Sequence, residues 1–159
     1  MKLVSFSMTA LAFLGGASPA TAESAQSTWQ QGEVAKWRLH AVGAQVYECK
    51  ADTFGHLVWQ FREPVAVLMD GATSVGNHFA GPTWLVLGIK VTGKAVESVA
   101  DPSGRDIPDL KLAVTNPDGN GFATVLRLNS TGGRLEGACD AAGGFQAVPY
   151  SAEYVFLKK

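Results

Sequence analysis

The sequence predicts an all-β fold: an antiparallel β-sandwich or partly closed barrel with one disulfide and no major helix, the sandwich being the favoured closure. Two observations predict it. Turn signals recur at short intervals from Lys36 onward, among them Glu63-Pro64, Asp70-Gly71, Gly81-Pro82, Asp101-Pro102-Ser103-Gly104 and Thr131-Gly132-Gly133, which leaves helices little room. The runs between them are short and rich in Val, Leu, Trp, Phe and Tyr, and several alternate with a period of two.

The chain has 159 residues, 47% hydrophobic and 17% charged, so it is suited to one ordinary domain and not to a disordered segment. Thirteen basic residues against fourteen acidic give a net charge of -1, too little positive charge to drive nucleic-acid or anionic-membrane binding. Residues 1–22 read as a secretory signal. Lys2 precedes an apolar stretch through Leu14, and Ala20-Thr21-Ala22 offers the small residues that signal peptidase requires, with cleavage expected after Ala22. The apolar run is shorter than the roughly 20 residues a bilayer-spanning helix needs, so no stable membrane anchor is expected once the signal is removed. The expected organisation is a signal peptide at 1–22, an N-terminal extension at 23–32 and a single secreted domain at 33–159. The protein is then secreted or periplasmic.

Ser27 to Lys36 could hold one helical turn, which Gly32 weakens. Export gives Cys49 and Cys139 an oxidising surrounding. As the only two cysteines, and in no C-x-x-C pair, they are expected to form one disulfide that ties early strands to late ones or pins a loop. Strands follow at Gln45, Tyr47 and Cys49, at Leu57, Trp59 and Phe61, and at Thr124, Leu126 and Leu128, where Arg127 and Asn129 fall on the opposite face. The last is the clearest: Val148, Tyr150, Ala152, Tyr154 and Phe156 share one parity.

Gly76-Asn77-His78-Phe79-Ala80-Gly81-Pro82-Thr83-Trp84 is the densest unusual stretch. It suits a ligand loop in which an imidazole and a large flat indole meet the ligand. It suits better a tight hairpin in which Trp84 fills the core and His78 satisfies a buried carbonyl. The candidate ligand-binding residues are Asn77, His78 and Trp84, with Arg127 as an anion or hydrogen-bond anchor. His40, His56 and His78 could take a metal only if the fold gathers them, and no H-x-H or H-E-x-x-H pattern occurs, so no metal and no cofactor are expected. An alternative is a hydrolytic or metal-assisted enzyme with His78 as base or ligand and Asp70 orienting it. There is no G-x-S-x-G elbow or phosphate-cradling glycine motif, and Glu63, Asp101, Asp106 and Asp109 fall in turns. A third reading is a structural envelope protein. Asn129-Ser130-Thr131 matches an N-glycosylation sequon or a strand-ending turn.

Several of these motifs together resemble a known family. Gly43-Ala44-Gln45-Val46-Tyr47-Glu48-Cys49, Trp59, the Gly76 to Trp84 segment, Ile107-Pro108, Arg127 to Gly133, Gly137-Ala138-Cys139 and Val148 to Phe156 are similar to those of a secreted domain-of-unknown-function family of bacteria and fungi. The resemblance spans nearly all of the chain after the leader. It implies one exported domain beginning near residue 33, with both cysteines in register with the family's pair. It brings no established activity, and Leu85-Val86 after Trp84 and Asp109 after Pro108 depart from the usual pattern. The partner expected on these grounds is a small molecule, a glycan or an envelope component.

Overall fold

A computed structural model describes residues 28–116 and 118–159; the expected leader at 1–22 lies outside the described residues. Eight strands run in chain order: β1 (Val34–Ala51), β2 (Leu57–Asp70), β3 (Thr73–Phe79), β4 (Thr83–Val86), β5 (Ile89–Val99), β6 (Asp109–Val114), β7 (Phe122–Gly132) and β8 (Phe145–Lys158). Each pairs antiparallel with its sequence neighbours, and β8 returns to pair with β1, so the sheet is a closed barrel. The all-β expectation with one disulfide holds, and of its two closures the chain takes the barrel and not the favoured sandwich. Alternation along a strand reports a buried face in either case. What decides is the long β1–β8 seam, from Val34↔Lys158 to Glu48↔Phe145, which leaves no edge for a second sheet.

Tight curvature falls at glycines. A Cβ on Gly43 would lie 2.0 Å from the Val65 carbonyl oxygen, and one on Gly76 would lie 2.1 Å from that of Leu85, so only a residue without a side chain lets these backbones approach so closely. In β2 the ladder skips Arg62, since Val46 opposes Glu63 and Tyr47 opposes Phe61. This bulge flips the inward parity, so Trp59 and Phe61 face the lumen on one side of it and Pro64, Ala66 and Leu68 on the other.

The two ends differ. At the end where β1 starts and β8 finishes, Trp37, Phe122 and Phe156 pack with ring centroids 4.7 to 5.6 Å apart. Leu39, Leu68, Val86 and Val91 fill the space around them and form a plug. The opposite end carries the longer connections. β3 pairs with β2 only over Ala66–Asp70, which leaves the β2 segment 57–63 open on that side. The connection of residues 133–144 reaches over the barrel end to fill it. Val58 bridges Ala138, Trp59 N–H donates to the Gly137 carbonyl (3.0 Å), and Cys139 N–H donates to that of Leu57 (3.1 Å). The disulfide joins Cys139 of this strap to Cys49 of β1 across 90 residues.

One strand face departs from the expected parity. Leu126 and Leu128 point outward, where Trp29 covers them together with Val155 and Leu157, and Trp29 Nε1 donates to Glu97 at 2.8 Å. Both faces of β7 are therefore buried. Alternation alone does not tell lumen from covered exterior, and Arg127, on the face opposite the leucines, points into the barrel.

The ring of strands is closed by hydrogen bonds alone, whereas the strap is held by the sulfur link as well as by its hydrogen bonds to β1 and β2. A Cys49→Ala/Cys139→Ala chain is expected to keep a β-type circular-dichroism spectrum while losing roughly 2 to 5 kcal/mol of stability in urea. An unchanged urea midpoint would mean that the link contributes nothing.

Candidate functional site

Above the aromatic plug the lumen opens into a cavity of about 610 Å³, within the range of small-molecule sites. Its walls are chiefly apolar: Trp59, Phe61, Trp84, Leu110, Leu112 and Tyr154 on the strands, with Pro82, Ile107, Pro108 and Leu135 from the connections at the mouth. His78, Trp84 and Arg127 all line it, so three of the four expected ligand-binding residues meet in one concavity. Asn77 does not. It is exposed on the outer face of β3, between Val67 and Leu85, because adjacent strand residues point to opposite faces and His78 takes the inward position.

The β3–β4 hairpin positions His78 and Trp84. They are cross-strand partners, and their rings stack 4.8 Å apart at 6°, with the Tyr154 ring edge-on to both. Gly81 takes a positive φ of 84° to turn the chain, which brings the Thr83 carbonyl 2.9 Å from His78 Nδ1. A carbonyl can only accept, so Nδ1 carries the proton and Nε2 is left as a bare lone pair. Burial lowers the imidazole pKa from 6.5 to about 4, opposed by the Thr83 hydrogen bond and assisted by the Arg127 charge. His78 is therefore a neutral acceptor at ordinary pH. The hairpin reading of this stretch is realised, and the same hairpin forms a wall of the cavity.

Arg127 stands opposite Tyr154 on β8 and Leu110 on β6. Its Nε and Nη2 both donate to the Pro108 carbonyl, at 3.1 and 2.8 Å, which fixes the guanidinium plane without neutralising it. Among the described residues no carboxylate pairs with it. The cations at the mouth differ: Arg62 pairs with Glu48 and Glu63, and Arg134 with Glu136. Beneath the cavity wall Gln45 Nε2 and Trp84 Nε1 are buried with no protein partner, and the Tyr154 hydroxyl interacts with Tyr150 and Arg127. Burial raises the pKa of both phenols, so they remain protonated. Gln45 Nε2 and Trp84 Nε1 are donors without an acceptor.

Sequence reasoning missed Gln45 and Tyr154 as buried polar residues at the lumen wall. Gln45 had a signal, since it is an amide on the same parity as Tyr47 and Cys49 in an otherwise apolar stripe. The strap residues Arg134, Leu135 and Glu136 had none. Gly133, at φ 79°, sits where a Cβ would fall 2.8 Å from Tyr150 Cβ and 2.9 Å from Gln45 Cγ, and its carbonyl accepts from Tyr47 at 2.7 Å. The glycine pair after the sequon is thus a packing requirement at the root of the strap. Asp106 and Asp109 hold the same bend by accepting from the amides of Gly132, Asn129 and Ser130.

Other expectations meet the geometry less well. Asp70 is exposed at the β2–β3 turn opposite Thr73, toward the plugged end, so it does not orient His78; the Thr83 carbonyl does. His40 is exposed on β1 and His56 pairs with Asp52 in the β1–β2 connection, so the fold does not gather the histidines. Among the described residues no cluster of His, Cys, Asp and Glu could hold a metal ion.

The neutral imidazole has a consequence for stability. Between pH 6.5 and about 4 the unfolded chain protonates His78 while the fold does not, so stability falls as pH drops through that window and the loss levels off below it. The shift corresponds to on the order of 3 kcal/mol. His78→Phe keeps a flat ring against Trp84 and removes the titration. Urea unfolding at pH 7 and pH 4.5 should therefore show a smaller acid-induced loss in the variant than in the parent. Equal losses would contradict the burial of His78.

A sequence model described as a protein of unknown function (DUF3455) matches residues 30–74 and 71–158, which takes in all eight strands. No curated protein and no solved structure matches the chain. The expected resemblance to a domain-of-unknown-function family is borne out at that level, and the chain belongs to the DUF3455 family.

Proposed function

We propose that this chain is an exported binding protein whose barrel lumen takes a small, flat, largely apolar molecule bearing an anionic or strongly hydrogen-bond-accepting group. The observation that carries the reading is Arg127, a guanidinium inside the barrel with no carboxylate partner among the described residues, at an aromatic-walled cavity of about 610 Å³. A cation in so apolar a place interacts more strongly with an anion than it would in water. The apolar body of the ligand would lie against Trp59, Phe61 and Leu110. Four groups make up the site: Arg127 as anion anchor, His78 and Trp84 as the stacked wall, and Tyr154 as a neutral donor.

Export is supported by the leader-like residues 1–22 and by the Cys49–Cys139 link, which an oxidising compartment would preserve. Among the described residues no helix is long and apolar enough to cross a membrane.

Tryptophan fluorescence tests the reading. Titration with 2-naphthoate should quench saturably, and 2-naphthylmethanol, which lacks the charge, should bind at least tenfold more weakly. Arg127→Gln should cost the acid about 10- to 100-fold, as expected for a lost hydrogen bond to a charged group, and leave the alcohol within threefold. Equal binding of acid and alcohol, or no saturable response, would contradict the proposal.

A further inference from the structure

The lumen offers two kinds of polar contact, and they are not interchangeable. On one wall Arg127, held by the Pro108 carbonyl, can only donate. On the β3–β4 wall the chemistry of His78 is of the opposite sense. Its Nδ1–H is committed to the Thr83 carbonyl, no group among the described residues donates to Nε2, and the ring lines the cavity while stacked on Trp84. The imidazole cannot present a proton at Nε2 without giving up the Thr83 bond. It is held as an acceptor.

From this we infer that the lumen selects a planar aromatic acid that also carries a hydroxyl: the carboxylate lies at Arg127 and the hydroxyl donates to His78 Nε2. The inference rests on the small-molecule reading above and adds a second recognition pole to it. A ligand that displaces water from a buried acceptor without supplying a donor loses that interaction, so an acid without the hydroxyl, or with the hydroxyl capped, is penalised. The stacked indole and imidazole set the plane in which such a ring would lie. Tyr154, edge-on to both, closes the wall between the two poles.

The test compares 2-naphthoate with its ring-hydroxylated isomers and with the corresponding methoxy ethers, which accept but cannot donate. All are titrated into the disulfide-intact protein by tryptophan fluorescence at pH 7. At least one hydroxy isomer is expected to bind tenfold or more tightly than both the parent acid and its own ether. In His78→Phe that advantage should fall to less than threefold. If no hydroxy isomer gains over its ether although 2-naphthoate binds and depends on Arg127, the inference is overturned and the lumen reading stands. If no acid binds at all, both fall. The ether comparison is made in the unmodified chain, so the outcome does not hang on whether the variant folds.

Discussion

Closure of the sheet on itself, through the long seam between β1 and β8, is the constraint from which the other features follow. Once the last strand pairs with the first, every inward position faces a space that only side chains or a ligand can occupy. A polar residue of that parity cannot turn to solvent. The glycines at 43 and 76 make the curvature sterically possible, and the bulge at Arg62 lets β2 change its inward set partway along. Eight strands enclose an interior just wide enough to be filled, and this chain fills half of it.

That half is the Trp37, Phe122 and Phe156 plug, which supplies the buried apolar area and leaves the other half free to be a cup. The cup is apolar where it is broad and polar at a few places, which is how small-molecule sites combine affinity with orientation. The strap over its end is fixed at three kinds of contact: the bridge to β2, the Tyr47 hydrogen bond at Gly133, and the Cys49–Cys139 link. Such a mouth is built to keep its shape, so the cost of ordering it is met on folding and not on binding.

Much of the architecture was legible in the sequence because strand alternation and turn residues are local signals. Tyr150, Ala152, Tyr154 and Phe156 lie inward as their spacing predicts. The pairing of Cys49 with Cys139 needed only their number and the expected compartment. Three things were not legible. Barrel and sandwich share the same alternation, and only the seam separates them. Leu126 and Leu128 mimic a core stripe because Trp29, distant in sequence, covers them from outside. His78 and Arg127 stand out for their chemistry, but their meeting in the lumen depends on the strand order, and Asn77 faces outward because successive strand residues point to opposite faces.

The four tryptophans report on separate places: Trp29 on the outer face, Trp37 in the plug, and Trp59 and Trp84 in the cup. Their indole N–H signals, with that of Arg127 Nε–H, can be followed by two-dimensional ¹H–¹⁵N NMR as an aromatic carboxylate is added. The account predicts saturable shifts of Trp84 Nε1–H and Arg127 Nε–H with one common dissociation constant, while Trp29 Nε1–H, bonded to Glu97 outside the barrel, stays in place. Shifts confined to Trp29 or to surface residues, with Trp84 and Arg127 unmoved, would contradict it.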